Sequence, residues 1–428
     1  MSDSWFYNTS TFDDGQSKVD VKSYKLEYAP SKVTLLMLGQ GGTMPEEGRS
    51  VGIGYIFQIL RDGGVWTRSS LANHTGQART TVSAKIDALE RTGLIGVTGE
   101  AASTGGRRPA TFAFTPTAQS VLGIDLGAAH VRVAITDLAA NVLAEHFEPI
   151  DVAEGPTAVL GRIVTICRSL LNSTDQTLPP LAGIGIGVPG PVEASTGKPI
   201  SPPIMPGWDG FDIKDFLGRD FKVPIAVDND VNLMAIGEHR TRWEKHDNLL
   251  YIKISTGIGS GIIMDGTLRR GAQGAAGDIG HLTLGNQRDV LCRCGNYGCL
   301  EAVAGGSAIV RRFPELGGIQ GLISAAKDGN SRVLMALREA GREIGFVASA
   351  CVSILNPSLI VIGGALVDAG EQLIAGLRES LYQKSMPLAT QYLQIVTSHN
   401  GSQSGVIGGA YLAIDKVLSP GAVDALCT

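Results

Sequence analysis

One histidine and three cysteines lie close together in the segment HLTLGNQRDVLCRCGNYGCLE, at His281, Cys292, Cys294 and Cys299. An imidazole and three thiolates are a donor set that tetrahedral zinc prefers, and glycines at 295 and 298 allow tight folding between the ligands. Because four protein ligands leave no position for a metal-bound water, such a zinc would be structural. The competing interpretation is a group of neighbouring cysteines that bind no metal.

A short acidic turn in AVDNDVNLMAIGEH lies between an apolar strand and a helix. A carboxylate of Asp228 or Asp230 there could accept the proton of a sugar hydroxyl, as a general base must. The simpler alternative is that Asp228 or Asn229 only caps the helix. The residues alone leave both interpretations open.

The stretch VLGIDLGAAHVRVAITDL predicts a strand, a glycine turn and a second strand, with Asp125 ending the first strand and Gly127 in the bend. This is the frame of a loop that grips phosphate. Ala128, Ala129 and His130 follow where a nucleotide would favour more glycine, a hydroxyl and a cation. Each added Cβ keeps the backbone away from a phosphate, so we expect a degenerate nucleotide loop.

A second candidate nucleotide loop is STGIGSG, where Thr256, Gly257 and Gly259 could bring backbone N–H groups round an anion. Glycine-rich turns between strands are often purely structural, and this alternative stays open. The strand, loop and strand at 249–265 repeat the pattern around Asp125. This internal repeat predicts two related α/β lobes with a cleft between them.

Residues 51–117 show the pattern of a winged helix-turn-helix domain. Apolar residues recur at helical spacing at Ile53, Ile56, Phe57 and Leu60, and again at Val82, Ile86 and Leu89. Between these segments, TRSSLANHTG predicts a short helix capped by Thr67 and ended by Gly76. Two strand-like arms around a Ser/Thr/Gly-rich tip follow, which predicts the wing.

The third predicted helix presents a polar face opposite its apolar stripe. We take five of its residues as candidate DNA contacts: Arg79, Thr80, Thr81, Ser83 and Lys85. Arg107 and Arg108 at the hairpin could enter a minor groove. Residues 50–115 hold seven basic and four acidic side chains, a net charge of +3, so the rest of the chain, whose total is −5, carries −8. A basic DNA-binding domain attached to an acidic body fits this asymmetry. An ordinary solvent-exposed helix face also explains surface arginines.

Length and composition limit the classes of protein. A chain of 428 residues, 43% hydrophobic and 18% charged, is ordinary for a globular protein of two or three domains. Neither a membrane-spanning run nor a signal peptide is evident, and the cysteines suit a metal better than disulfides, so we expect a cytoplasmic protein without membrane association. Residues 1–50 predict a disordered or loosely ordered lead.

Together these motifs resemble the ROK family (repressors, open reading frames and sugar kinases), and within it the repressors with an N-terminal winged helix. The resemblance runs from about residue 52 to 416. It rests on GAAGDIGHLTL and CRCGNYGCLE, with support from GVPGPV, PGW, DNDVN, STGIGSGIIMDG, NPSLIVIGG and, for the wing, STGGRRPATF. It implies an α/β fold, an actin-like (ribonuclease H-like) two-lobed sugar-kinase fold preceded by the winged helix. The lobes would span 118–240 and 241–404, and a helix at about 405–418 would complete the first lobe.

The resemblance also implies the site. Positions that contact the sugar fall on Asn229, Asp230, Asp278, His281 and Glu301, and the kinase base falls on Asp230. A structural zinc, held by the four residues named above, would order the loop that presents Asp278 and Glu301. Asp278 stands where a glutamate is usual, and one methylene less moves the carboxylate by roughly 1.5 Å, which could change the preferred sugar or require a water bridge.

The leading hypothesis is a sugar-responsive transcriptional regulator, a repressor, that binds a palindromic double-stranded DNA operator as a homodimer or homotetramer. A sugar or sugar derivative between the lobes would alter operator affinity. The alternative is an ATP-dependent sugar kinase that uses Mg-ATP and Asp230 as the base, or a protein that both represses and phosphorylates. The degenerate loop around Asp125 favours the regulator, because phosphoryl transfer depends on positioned phosphates.

Overall fold

The computed structural model describes residues 52–101, 108–172, 178–285 and 289–428, which belong to one compact unit. The predictions for residues 1–50 and for Arg107 lie outside the described residues. Within them, no single helix is long and apolar enough to cross a membrane; the segments Gly401–Val417 and Pro420–Leu426 pass that test only as a pair bent by 58°.

The N-terminal domain has the helices and strands of a winged helix. In chain order these are α1 (Ile53–Arg61), β1 (Trp66–Thr67), α2 (Arg68–Thr75), α3 (Arg79–Thr92), β2 (Ile95–Glu100) and β3 (Ala110–Phe114). The three strands form an antiparallel sheet in the order β1-β3-β2. Thr67 caps α2 by accepting the Ser70 N–H, and Gly76 ends that helix in the left-handed region, so both predictions are confirmed. The apolar stripe of α3 is fully buried.

The first lobe follows directly. Its elements are β4 (Ser120–Leu126), β5 (His130–Asp137), β6 (Val142–Pro149), α4 (Pro156–Asn172), β7 (Leu181–Val188), α5 (Ile213–Gly218), β8 (Ile225–Asn229) and α6 (Asp230–Thr241). The sheet order is β6-β5-β4-β7-β8. The first three strands form an antiparallel meander, of which the first two are the predicted strands on either side of the glycine turn, and β7 and β8 add to it in parallel.

The second lobe repeats this topology. Its elements are β9 (Leu249–Ile254), β10 (Ile258–Met264), β11 (Thr267–Leu268), α7 (Leu300–Ala304), α8 (Gly306–Arg311), α9 (Ile319–Lys327), α10 (Ser331–Leu355), β12 (Leu359–Gly363), α11 (Glu371–Lys384), α12 (Pro387–Thr390) and β13 (Gln394–Thr397). The order β11-β10-β9-β12-β13 again joins antiparallel strands to two parallel ones. The internal repeat in the sequence therefore reflects two lobes of one design.

Two C-terminal helices connect the lobes with the winged helix. Helix α13 (Ser404–Val417) packs on β4, β7 and α6, and α14 (Pro420–Leu426) packs on α1. The contact between α6 and α13 is close, because a Cβ on Gly408 would lie 1.8 Å from the Leu233 carbonyl oxygen. The loop before α13 is held by the buried carboxylate of Glu238, in α6, which accepts four hydrogen bonds, from Ser398 Oγ, His399 N, Asn400 N and Ser404 Oγ.

Replacing this carboxylate should destabilise the fold strongly. Glu238→Ala removes the buried acceptor of four hydrogen bonds, so we expect the free energy of unfolding to fall by about 3 kcal/mol or more. The matched control is Glu339→Ala, which removes an exposed carboxylate paired with Arg312 and should cost less than about 1 kcal/mol. Urea unfolding followed by circular dichroism measures both, and equal effects would contradict the role given to Glu238.

Candidate ligand cleft and metal cluster

A cleft of about 1180 Å³, partly open to solvent, lies between the two lobes. The first lobe contributes residues 128–130, 189–191 and 229–232, and the second lobe contributes 253, 255–260 and 274–278. Each of the five predicted sugar-binding residues lines this cleft, at Asn229, Asp230, Asp278, His281 and Glu301. Acceptors from both lobes therefore face one space that could hold a sugar.

The acidic turn caps a helix and also brings one carboxylate to the cleft. Asn229 caps α6, since its Oδ1 accepts the N–H groups of Val231 and Asn232 while its Nδ2 donates to the Gly190 carbonyl at 2.9 Å. Asp228 is buried and paired with Arg270 at 2.7 Å. Asp230 is the carboxylate of the turn that lines the cleft, which leaves it the candidate for contact with a sugar hydroxyl.

Asp230 is paired with a residue that the sequence analysis missed. Lys253 Nζ lies 2.5 Å from Asp230 Oδ2, and the two side chains are 15% and 3% exposed. Burial raises the pKa of Asp230 against the opposing effect of Lys253. Burial also opposes the charge on Lys253, but the neighbouring carboxylates, above all that of Asp230, hold its pKa above the usual value. A lysine inside the apolar strand LLYIKI was the sequence signal for this pair.

The first candidate nucleotide loop is covered by one of its own side chains. The imidazole of His130 lies over Gly127, where a Cβ would fall 2.2 Å from the ring. The ring stacks on Phe147, with centroids 6.0 Å apart, and its Nε2 lies 3.6 Å from Asp125 Oδ2. A phosphate approaching the Gly127 backbone would meet this ring, which agrees with the prediction of a degenerate loop.

The second candidate loop is shorter than predicted, because Gly259 and Gly261 lie within β10. Helix α6 crosses this strand closely, and a Cβ on Gly261 would lie 2.6 Å from the Ala235 Cβ. These glycines therefore have a packing role. Glu301 fills the turn itself, since its Oε2 accepts the Ile258 N–H at 3.1 Å and lies against Gly257.

The predicted metal ligands converge beside the cleft. The donor atoms of His281, Cys292, Cys294 and Cys299 all lie within 4.8 Å of one another. Cys292 Sγ is 3.6 Å from His281 Nδ1, and Cys294 Sγ is 3.7 Å from Cys299 Sγ. A tetrahedron with Zn–S bonds of ~2.3 Å has edges of about 3.8 Å, so the spacing and the donor types fit a metal ion. Glycines 295 and 298 both take positive φ, as the tight fold between ligands requires.

Short elements join this cluster to the cleft. His281 ends a 3₁₀ turn that begins after Asp278, and Cys299 caps α7, in which Glu301 is the second residue. A metal bound to Cys299 and His281 would consequently fix the backbone that carries Asp278 and Glu301. Burial raises the pKa of the Cys299 thiol to about 12, so a metal must displace its proton to bind.

The candidate DNA contacts lie on α3, in the N-terminal domain. Arg79, Thr80 and Thr81 are exposed in its first turn, and Arg79 donates to Ser69 Oγ in α2. Ser83 and Lys85 are partly buried, and Lys85 Nζ donates to Gln77 Oε1 at 2.9 Å. Arg108 is exposed at the wing. The structure thus groups the three residues of the first turn on one surface.

Comparison with known proteins decides the family. Residues 121–416 match the model of the ROK family. The chain belongs to the ROK family. A ROK family transcriptional regulator, homolog of the Escherichia coli MLC protein, superposes with a TM-score of 0.75 over 88% of this chain and 98% of that chain, at 24% identity. The predicted fold class, a two-lobed actin-like body preceded by a winged helix, is confirmed.

Two ROK relatives differ in how much of the chain they match. The xylose repressor of Caldicellulosiruptor bescii is 29% identical over 85% of this chain and 95% of its own length. The glucokinase of Halalkalibacterium halodurans is also 29% identical, over 68% of this chain and 94% of its own length. The repressor therefore matches a larger part of this ROK chain than the kinase does.

The metal cluster leads to a direct prediction. Cys299→Ser should lower the bound metal well below the roughly one ion per chain expected for a structural tetrahedral site, and it should lower the thermal midpoint, because binding free energy contributes to folding. Mass spectrometry of the purified protein measures the metal and identifies it. Cys427→Ser, a thiol outside the cluster, is the control. Unchanged metal content in Cys299→Ser would contradict the assignment.

Proposed function

We propose that this ROK protein is a sugar-responsive, DNA-binding transcriptional regulator that acts as a repressor. The observation that carries the proposal is the winged helix in front of a sugar-kinase-like body, matched along nearly its whole length by a xylose repressor. A glucokinase matches only about two thirds of the chain, so catalysis by this fold does not need the N-terminal part. A winged helix attached to a ligand-binding body is typical of a DNA-binding regulator.

The DNA end of the protein would be α3 and the wing. Arg79, Thr80 and Thr81 would reach base edges or phosphates in a major groove, with Ser83 and Lys85 beside them. Arg107 and Arg108 would enter the adjacent minor groove. The operator would be a palindromic duplex, since two copies of one winged helix read two equivalent half-sites.

The ligand end would be the cleft. Asn229, Asp230, Asp278, His281 and Glu301 would bind the hydroxyl groups of a sugar or sugar derivative. A structural zinc, held by His281 and the three cysteines, would fix the segments that carry Asp278 and Glu301. His281 can do both, because Nδ1 faces the cluster and the ring lines the cleft.

Helix α6 would transmit the sugar signal to the winged helix. It begins at Asp230 in the cleft, and at its other end Arg240 pairs with Asp415 of α13 at 2.9 Å. The other oxygen of Asp415 pairs with Arg61 of α1 at 3.1 Å. A helix of this length spans roughly 18 Å, so a rigid rod joins the ligand to the DNA-binding domain. A sugar that draws the lobes together would shift this junction.

The regulator would act as a homodimer or homotetramer. Three exposed apolar side chains support an interface in the second lobe: Ile354 on α10, Leu388 on α12 and Tyr392 just after α12, each more than 80% exposed. Large apolar residues exposed in one region are typical of contact surfaces. Pairing through this lobe would set the spacing of two winged helices.

The second candidate is an ATP-dependent sugar kinase. The glucokinase match and the position of Asp230 in the cleft support it. Mg-ATP would have to enter a cleft in which His130 covers the first loop and Glu301 fills the second. ATP-dependent phosphorylation of a sugar that Asp230→Asn abolishes would favour the kinase.

Gel-shift titration with a duplex selected from genomic fragments tests the regulator. We expect Arg79→Ala to weaken binding by about tenfold or more, since a base contact contributes about 1–3 kcal/mol, and a panel of sugars to change the affinity of the wild type. Arg312→Ala, an exposed arginine of the second lobe, is the control and should bind as the wild type does. Absence of DNA binding with every ligand would overturn the proposal.

Asp415→Asn should weaken the coupling while leaving both binding sites intact. Loss of two partly exposed ion pairs removes about 1 kcal/mol of coupling free energy, so the effect of the sugar on operator affinity should shrink several-fold. Asp265→Asn breaks an exposed pair with Arg269 in the second lobe and serves as the control. Fluorescence anisotropy with labelled operator gives the affinity with and without sugar. Full coupling in Asp415→Asn would exclude the junction.

A further inference from the structure

The floor of the cleft contains more buried negative charge than its hydrogen bonds account for. Asp125 is 1% exposed, and no group among the described residues donates a hydrogen bond to its Oδ1. Asp230 uses one oxygen on the Val231 N–H and the other on Lys253. Glu301 stands close enough for its charge to act on Lys253 as well. One ammonium thus pairs with Asp230, and the charges of Asp125 and Glu301 also act on it.

Such a group of oxygens is what a hard divalent cation binds. Magnesium and manganese take carboxylate oxygens as ligands, and buried carboxylates that share a space need a cation to remain ionised. In this chain the cation is covalently attached. Lys253 extends from β9 of the second lobe, and its Nζ makes contact with Asp230 at the start of α6.

We propose that Lys253 is a built-in cation of the cleft: its ammonium occupies the position against Asp230 and Asp125 that a divalent metal would otherwise take, so the protein binds its sugar without metal or nucleotide. The ligand class that follows is an uncharged sugar. A phosphate placed beside Lys253 would meet the Asp230 carboxylate and an ammonium that is already paired with it. Lys253 would have this role whether or not the cleft regulates DNA binding.

The loop around Asp125 supports the same conclusion by sterics. The His130 ring lies against Gly127 and beside Asp125, so a nucleotide that carries its own metal finds the backbone of Gly127 covered. Lys253 therefore supplies the charge of the missing cation, and His130 fills the volume of the missing phosphate. The two side chains come from different lobes and both line the cleft.

Manganese binding to the full-length, metal-loaded protein tests this role. Mn²⁺ alone is the probe. The electron paramagnetic resonance signal of free Mn²⁺ falls as the ion binds, and this decrease gives the affinity. We expect Lys253→Met to bind one Mn²⁺ at least tenfold more tightly than the wild type, because removing the ammonium leaves the carboxylates unpaired. The double variant Lys253→Met with Asp230→Asn should lose this gain. Lys198→Met, which removes a lysine paired with Asp212 outside the cleft, should bind as the wild type does.

Three results would overturn the proposal. The first is Mn²⁺ binding by the wild type that Asp230→Asn abolishes, and the second is no gain in Mn²⁺ affinity in Lys253→Met. The third is a thermal-shift assay in which inorganic phosphate stabilises the wild type but not Lys253→Met. The last would assign the ammonium to an anionic ligand. If Lys253→Met does not fold, Lys253→Gln keeps a hydrogen-bond donor to Asp230 without the charge and should show the same gain in Mn²⁺ affinity. The comparison of Mn²⁺ binding between the wild type and Asp230→Asn needs neither Lys253 variant.

Discussion

The close crossing of α6 and α13 is the constraint on which the rest of the structure depends. Backbone meets backbone there, since neither Gly237 nor Gly408 leaves room for a Cβ, and the buried carboxylate of Glu238 fixes the chain that enters α13. One end of the pair carries Asp230 into the cleft and sets Gly405 against the Asp125 carboxylate. The other end meets the winged helix through Asp415 and α14. Two sites far apart therefore share one rigid unit, which is the physical requirement for coupling between them.

The cleft has the architecture of a sugar kinase, but side chains of the protein occupy its candidate nucleotide loops. His130 covers the first loop, Glu301 fills the second, and Lys253 neutralises the residue at the position of the base. We propose that His130 and Lys253 stand where a kinase would use nucleotide and metal. What remains open is the face lined by Asn229, Asp278 and His281, which suits hydroxyl groups. A body of this kind can still close on a sugar, and closure is sufficient for a signal.

Much of this could be predicted from the sequence because the signals are local. The Thr67 cap, the glycine turns between the metal ligands and the strand repeat each lie within a few residues, and the structure has them where the patterns put them. The contacts that were missed join residues far apart in the chain, such as Lys253 with Asp230 and Arg61 with Asp415. The glycines of STGIGSG show the same limit. They are required because a helix distant in sequence crosses the strand closely. Sequence periodicity reports which face is buried but not what lies against it.

A sugar in the cleft and operator DNA on α3 should bind to one coupled unit. The most direct measurement is a reciprocal titration: operator affinity by fluorescence anisotropy with and without saturating sugar, and sugar affinity by calorimetry with and without saturating operator. Linkage requires both affinities to change by the same factor, and for an inducing sugar both must fall. A sugar that binds the cleft with equal affinity in the presence and absence of operator would contradict the account.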